Sequence, residues 1–186
     1  MTDRYEKYTS FEFDRPSDRV LRITLNNPKT YNSLDAAGHN HFTYIWRDID
    51  DDPEISAVIL TGKGKAFSSG GDFGMIDANM NDEMARMQAW KEARDLVYNI
   101  INCNKPIVSA INGVAVGAGL VAALLADISI AGKAAKIVDG HTRLGVAAGD
   151  CAVINWPLLC GMAKAKYLLM LCEPVNGEDA EKYGLV

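Results

Sequence analysis

A chain of 186 residues, 48% hydrophobic and 23% charged, is long enough for one domain with a sizeable core. Its net charge of −5 argues against a nucleic-acid partner held by phosphate neutralisation, and it has no basic run of the kind that binds phosphate or anionic lipid. The longest apolar stretch, around Val114 to Ala126, is too short to span a bilayer and ends at Asp127, so no membrane association is expected. The polar start, Met1 to Lys7, lacks the apolar segment of a secretory signal. Cys103, Cys151, Cys160 and Cys172 form no C-x-x-C pair and have no histidine at ligand spacing. They read as buried thiols of a reducing compartment, and a cytoplasmic location is expected.

In chain order, Val20–Leu25 mixes β-branched and apolar residues and reads as a strand, turned by Asn26-Asn27-Pro28-Lys29. Asn32 or Ser33 caps a helix running to about Asp50, with Phe42, Ile45, Trp46 and Ile49 on one face. Asp50-Asp51-Asp52-Pro53 stops it. Ala57–Thr61 is a continuous apolar run, expected to be a strand buried on both faces. A loop carrying Gly62, Gly64, Gly70 and Gly71 follows, and residues 74–83, polar and Met-rich, read as a mobile segment. From Glu83 to Asn102, Met87, Trp90, Val97 and Ile101 recur near helical spacing.

Lys105-Pro106 opens a strand, Ile107–Ile111, which Asn112-Gly113 turns. Gly117-Ala118-Gly119 leads into a buried helix, Leu120–Ala126. Asp127–Ala131 and Ala135–Val138 are short strands, Cys160–Cys172 a helix, and Asn176 caps a last helix that Gly184 ends. The order is α/β, with crossovers between parallel strands, in a single domain over residues 1–186. Tyr183-Gly184-Leu185-Val186 reads as a helix end and the start of a further strand, so more chain is expected to follow in the natural protein.

Two loops carry the chemistry. Ala66–Phe73 and Asn112–Gly119 each follow a strand, at the carboxyl edge where open α/β sheets bind ligands. Their small residues let a carbonyl approach backbone N–H groups, and the second loop opens a helix, whose N-terminus favours negative charge. Two such donors converging on one oxygen form an oxyanion hole. The glycine spacing does not match a dinucleotide fingerprint, and no Walker lysine follows either loop. Glycine-rich turns alone are also common, so spacing leaves a purely structural role open.

The series Phe67-Ser68-Ser69-Gly70-Gly71-Asp72, Lys105 to Gly113, and Gly117-Ala118-Gly119 resembles the crotonase (enoyl-CoA hydratase/isomerase) superfamily over about residues 10–186. Asn27 to Leu34 is similar to that family's early coenzyme A segment, and Ala180 to Val186 to a later helix-to-strand junction. The resemblance implies a spiral of ββα units, apparently lacking the family's C-terminal helices. It implies that Gly71 and Ala118 supply the oxyanion-hole N–H groups, and that Lys29, Thr30, Tyr31, Asp72 and Phe73 lie against coenzyme A. It further implies an acyl-CoA substrate, no covalently bound cofactor, no metal, and a homotrimer or hexamer.

Hydratases of this family use two glutamates, and neither is present. Val121 stands just after Gly117-Ala118-Gly119, and His141 stands four residues before Gly145. His141 and Asp150 remain as acid/base candidates, the imidazole because it titrates near neutrality. Asp150 also reads as a helix N-cap, and His141 as a turn histidine beside Asp139-Gly140. His39 and His41 read as surface or packing residues, and Arg143 as a solvated charge or a structural ion-pair partner. Asp72 reads either as a loop residue bonded to backbone or as a ligand contact. Asp139-Gly140-His141, Gly145, Gly149-Asp150 and Trp156-Pro157 look most like the β-diketone hydrolase branch (6-oxocamphor hydrolase), although that branch has a histidine where this chain has Ala118. Three functions therefore stand: an acyl-CoA hydratase/isomerase-type enzyme, a cofactor-free C–C hydrolase of a cyclic β-diketone, and a silent acyl-CoA-binding member.

Overall fold

The computed structural model describes residues 4–149 and 151–186. Strand β1 (Phe11–Ser17) pairs antiparallel with β2 (Val20–Leu25), setting Phe11 opposite Leu25 and Phe13 opposite Ile23. Helix α1 (Ala36–Asp50) returns the chain to β3 (Ala57–Gly62), which lies parallel to β2. The chain then leaves this sheet. It forms β4 (Ala66–Ser68), α2 (Phe73–Asn81) and α3 (Glu83–Ile101), and re-enters the first sheet as β5 (Ile107–Ile111), parallel to β3.

The same step repeats. Strand β6 (Val114–Ala115) pairs parallel with β4, α4 (Gly117–Leu125) crosses back, and β7 (Ile128–Ala131) pairs parallel with β5. Strand β8 (Lys136–Ile137) then lies parallel to β6. Helices α5 (Ala152–Cys160) and α6 (Met162–Leu171) follow, with β9 (Val175–Asn176) antiparallel to β8, and α7 (Gly177–Tyr183) last. The first sheet runs β1-β2-β3-β5-β7 and the second β4-β6-β8-β9. Each turn of the chain lays one strand in each sheet, which is the expected spiral of ββα units. No helix among the described residues is long and apolar enough to cross a membrane.

The core follows the apolar stripe of α1. Phe42, Ile45, Trp46 and Ile49 are all 0% exposed, as their spacing predicts. The cap is Asp35, neither Asn32 nor Ser33, and its carboxylate accepts from Gly38 N at 2.7 Å. In β3, burial alternates along the strand, so one face is core and the other is partly open. A continuous apolar run therefore does not here mean burial on both faces. Residues 74–83 are not a mobile loop: α2 is capped at Asp72, and α3 at Asp82. At the C-terminus, Asn176 and Gly184 cap α7 as expected.

Helix α3 turns its face differently from the predicted one. Met87, Trp90 and Ile101 are exposed, and Glu92, Leu96, Asn99 and Ile100 are buried against α1. The reason is that half of this buried face is polar. The Glu92 carboxylate meets His39 Nδ1 at 2.7 Å, Asn40 Nδ2 at 2.8 Å and Gln88 Nε2 at 2.7 Å. Asn99 Nδ2 donates to Thr43 O at 2.7 Å and its Oδ1 accepts from Arg47 at 2.8 Å. An apolar-periodicity reading cannot find such a face. Of the first helix's histidines, His39 is thus a packing residue.

Burial pushes the Glu92 carboxyl up, but the hydrogen bonds from His39, Asn40 and Gln88 outweigh it and hold the group below its ordinary value of 4.5. A depressed carboxyl contributes stability above its unfolded pKa and loses it as pH falls through the folded one. Urea unfolding is therefore expected to show stability dropping once pH goes below 4.5. Glu92→Gln should flatten that drop and cost about 2–4 kcal/mol at neutral pH, because it breaks a buried, hydrogen-bonded pair. An unchanged acid limb in the variant would contradict this.

Candidate active site

Strands β4, β6 and β8 are adjacent and parallel, so three segments leave the second sheet at one edge. They are Ser69-Gly70-Gly71, Val116-Gly117-Ala118 and Val138-Asp139-Gly140-His141. The ladder extends past the strand ends: Val116 N donates to Ser68 O at 2.9 Å, and Val138 N to Ala115 O at 3.2 Å. The register therefore sends the segments that carry Gly71, Ala118 and His141, far apart in sequence, out of the same edge.

Gly71 forms a parallel bridge with Leu34. The bridge uses its neighbours' groups, since Leu34 N donates to Gly70 O at 2.8 Å and Asp72 N to Leu34 O at 2.9 Å. In extended backbone, alternate peptides point to opposite sides, so the Gly71 N–H is turned away from Leu34. That side holds the second loop: a Cβ on Gly117 would lie 3.1 Å from Gly70 Cα and 3.8 Å from Gly71 N. Gly117 has φ +56, a left-handed conformation that glycine adopts without strain. Ala118 follows in the first turn of α4, where N–H groups have no partner within the helix, and no side chain caps that end.

The segment Asn27 to Leu34 is laced to the first loop. Asn32, 1% exposed, donates through Nδ2 to Ala66 O at 2.8 Å, Lys63 O at 3.0 Å and Phe67 O at 3.3 Å. Ser69 N donates to Tyr31 O and Ser69 Oγ to Thr30 O, both at 2.9 Å. Ser68 Oγ donates to Asn32 O at 2.9 Å and accepts from Gly70 N at 3.2 Å. This sets the exposed Lys29, Thr30 and Tyr31 beside Gly70 and Gly71. Phe73, 86% exposed, stands at the start of α2. Asp72 binds backbone: its carboxylate accepts from Met75 N at 2.7 Å as the α2 cap. Asn112 ties the second loop to the first, donating to Gly62 O at 2.8 Å and Gly64 O at 3.0 Å. By type and position Asn32 or Ser33 is a candidate helix cap and Asn112 a turn residue, and no local signal marks the long-range bonds of the two asparagines.

His141 opens a short 3-10 turn, His141–Leu144, that Gly145 closes at φ +73. Its Nδ1 lies 2.9 Å from Asp139 Oδ2, and its backbone N donates to Asp139 Oδ1 at 3.2 Å. Val121, at the place of the first missing glutamate, is buried in α4. Arg143 is exposed. Asp150 lies outside the described residues. Of the thiols, Cys172 is buried, whereas Cys103 and Cys160 are half-buried, and burial pushes the latter two up from their ordinary pKa.

Comparison with known proteins gives a family. The enoyl-CoA hydratase/isomerase family model matches residues 15–186. The chain is 31% identical over 172 residues to a probable peroxisomal enoyl-CoA hydratase 1 of Arabidopsis thaliana, covering 92% of this chain and 63% of that protein. It is 32% identical over 171 residues to the 1,2-epoxyphenylacetyl-CoA isomerase of Escherichia coli, covering 90% and 64%. A crystal structure of an enoyl-CoA hydratase/isomerase from Mycobacterium paratuberculosis superposes with a TM-score of 0.93 at 32% identity, over 98% of this chain and 73% of that one. The chain thus spans less than two thirds of the length of these two curated relatives.

Removing the lacing should loosen the edge. Asn32→Ala removes the side-chain donor that serves the carbonyls of Lys63, Ala66 and Phe67, of which Ala66 O keeps a bond from Asn112, and is expected to cost about 2–4 kcal/mol in urea unfolding. Asn112→Ala, at an exposed position, should cost less than half as much. Equal effects, or none, would show that these amides do not hold the loops.

Proposed function

Because the chain belongs to the enoyl-CoA hydratase/isomerase (crotonase) family, we propose that it acts on acyl-CoA thioesters by polarising the thioester carbonyl between the N–H groups of Gly71 and Ala118. The observation that carries this reading is the convergence of those two backbone segments at one sheet edge, with Gly117 in contact with Gly70 between them. Hydrogen bonds from two fixed donors stabilise charge that develops on the carbonyl oxygen, each worth roughly 3 kcal/mol in the transition state. Loss of the α-proton then gives an enolate held as an oxyanion.

With Val121 and His141 in place of the two glutamates, the proton is assigned to His141, on the neighbouring segment, together with Asp150. Hydration by a glutamate pair is not the reaction proposed. Lys29, Thr30, Tyr31 and Phe73 are assigned to the coenzyme A side, supported by their exposure next to the first loop. Assembly as a homotrimer or hexamer is part of the proposal. It is supported by apolar residues that α5 and α6 leave exposed, among them Ile154, Leu158 and Met170. Cofactor-free cleavage of a cyclic β-diketone is the second reading, favoured by the hydrogen-bonded Asp139–His141 pair, which could activate water.

The test is solvent deuterium exchange, followed by NMR, on a panel of enoyl- and acyl-CoA thioesters and cyclic β-diketones. Exchange at the carbon next to the thioester is expected, and His141→Gln should slow it about 10²–10⁴-fold, the usual contribution of a general base. Ala118→Pro removes one donor at a first-turn position where proline is tolerated, and should lower kcat about 10²–10³-fold with the fold retained. Turnover of diketones without coenzyme A would select the second reading. Full exchange in Ala118→Pro would end the first.

A further inference from the structure

We propose that Ser68 is a positioning residue shared by the two donor loops, the side chain that fixes the Gly71 N–H relative to the Ala118 N–H. This rests on the acyl-CoA reading above and adds to it a residue that acts through the two donors. Strand β4 is irregular. Ala66 pairs with Val114 and Ser68 with Ala115, so three residues of β4 lie along two of β6. Such a bulge breaks the alternation of side chains. Ala66, Phe67 and Ser68 are accordingly all buried. A hydroxyl is thereby placed in the interior directly before the first loop, where it has to find partners.

Those partners lie on both loops. Ser68 Oγ accepts from Gly70 N at 3.2 Å, one residue before the first donor, and donates to Asn32 O at 2.9 Å. The Ser68 carbonyl accepts from Val116 N at 2.9 Å. Its side chain also stops the second loop: a Cβ on Gly119 would lie 2.4 Å from Ser68 Cβ and 2.7 Å from its Oγ. The start of α4 therefore has no room to move further inward. Val116 and Gly119 stand on either side of Ala118, so the second donor is bracketed by two residues that rest on Ser68. The neighbouring serine makes the contrast. Ser69 is less buried, and its Oγ donates to Thr30 O at 2.9 Å, which ties the first loop to Asn27–Leu34 alone. Two donors act together only while their separation suits one oxygen, and a misplacement of about 1 Å costs on the order of 10²-fold in rate.

The experiment uses the ¹⁵N-labelled full chain, wild type and Ser68→Ala, with ¹H–¹⁵N correlation spectra and α-proton exchange on the thioester panel. The amides of Gly71 and Ala118 are both expected to shift in the variant. Its kcat should fall about 10–10²-fold with KM changed less than about 3-fold, because the donors' separation is disturbed and the coenzyme A side is not. A serine that served stability alone would leave kcat of the folded protein unchanged. Wild-type kcat in a folded Ser68→Ala would therefore overturn the proposal, as would a loss confined to KM or an Ala118 amide that stays in place. If Ser68→Ala does not fold, Gly119→Ala decides from the other loop. Its added Cβ presses on Ser68, so the Gly70 and Gly71 amides should shift, and unmoved amides there would overturn the proposal. If the wild type exchanges no thioester on the panel, the acyl-CoA reading fails, while the spectra still decide whether Ser68 couples the two loops.

Discussion

Where this chain passes from β3 in one sheet to β4 in the other, backbone carbonyls lie between two ladders, and the fold depends on finding them donors. Buried carbonyls without hydrogen bonds cost about 1–3 kcal/mol each. The carbonyls at this passage are those of Gly62, Lys63, Gly64, Ala66 and Phe67, and two side-chain amides serve them. Asn112 reaches Gly62, Gly64 and Ala66, and Asn32 reaches Lys63, Ala66 and Phe67. Each amide comes from a different part of the chain, so satisfying the crossing also ties together three segments: Asn27–Leu34, the first loop and the second. The geometry of the candidate site is a by-product of that polar clamp.

Close packing then sets how near the loops come. Gly119, one residue past Ala118, sits so tightly against β4 that a Cβ there would lie 2.4 Å from Ser68 Cβ. Ser68 is the residue that bonds Asn32 O and Gly70 N. The start of α4 is thus pressed onto the same side chain that orients the first loop. The Gly71 and Ala118 peptides are held from one shared point, which favours a fixed pair of donors over two independent loops. Preorganisation of this kind is what lets backbone N–H groups act on a developing charge without reorganising first.

Much of this was legible in the sequence, and the failures have physical causes. Strands β2, β3 and β5 and helix α1 carry strong local patterns, and the α/β order follows from them. The glycine loops and the motif order located the edge. The two-residue β6 and the three-residue β4 are too short to carry periodicity, although they form the edge of the candidate site, whereas β8 falls within the expected strand Ala135–Val138. In helix α3 the apolar recurrence of Met87, Trp90 and Ile101 marks an exposed face, because the buried face holds Glu92 and Asn99, paired with residues more than fifty positions away. The Asn32 and Asn112 clamps are long-range for the same reason. At the site, Asp72 resolved into a helix cap, a role its type and position before α2 already allowed.

On the proposed function, histidine at the third segment, where the family resemblance implies a glutamate, changes what the rest of the site has to provide. A carboxylate base needs burial or a like charge to lift its pKa toward neutrality, whereas an imidazole starts there and needs orientation instead. Asp139, two residues away, bonds both the ring Nδ1 and the backbone N of His141. Val121 fits the same logic. Where the proposed function assigns the proton to the β8 segment, the α4 position needs no titratable group, and Val121 is buried with Leu120 and Ala122. On the proposed reading, polarisation and proton transfer are divided between segments, the β4 and β6 loops being assigned the carbonyl and the β8 segment the proton. Such a division lets the chemistry diverge while the clamp that builds the edge stays as it is.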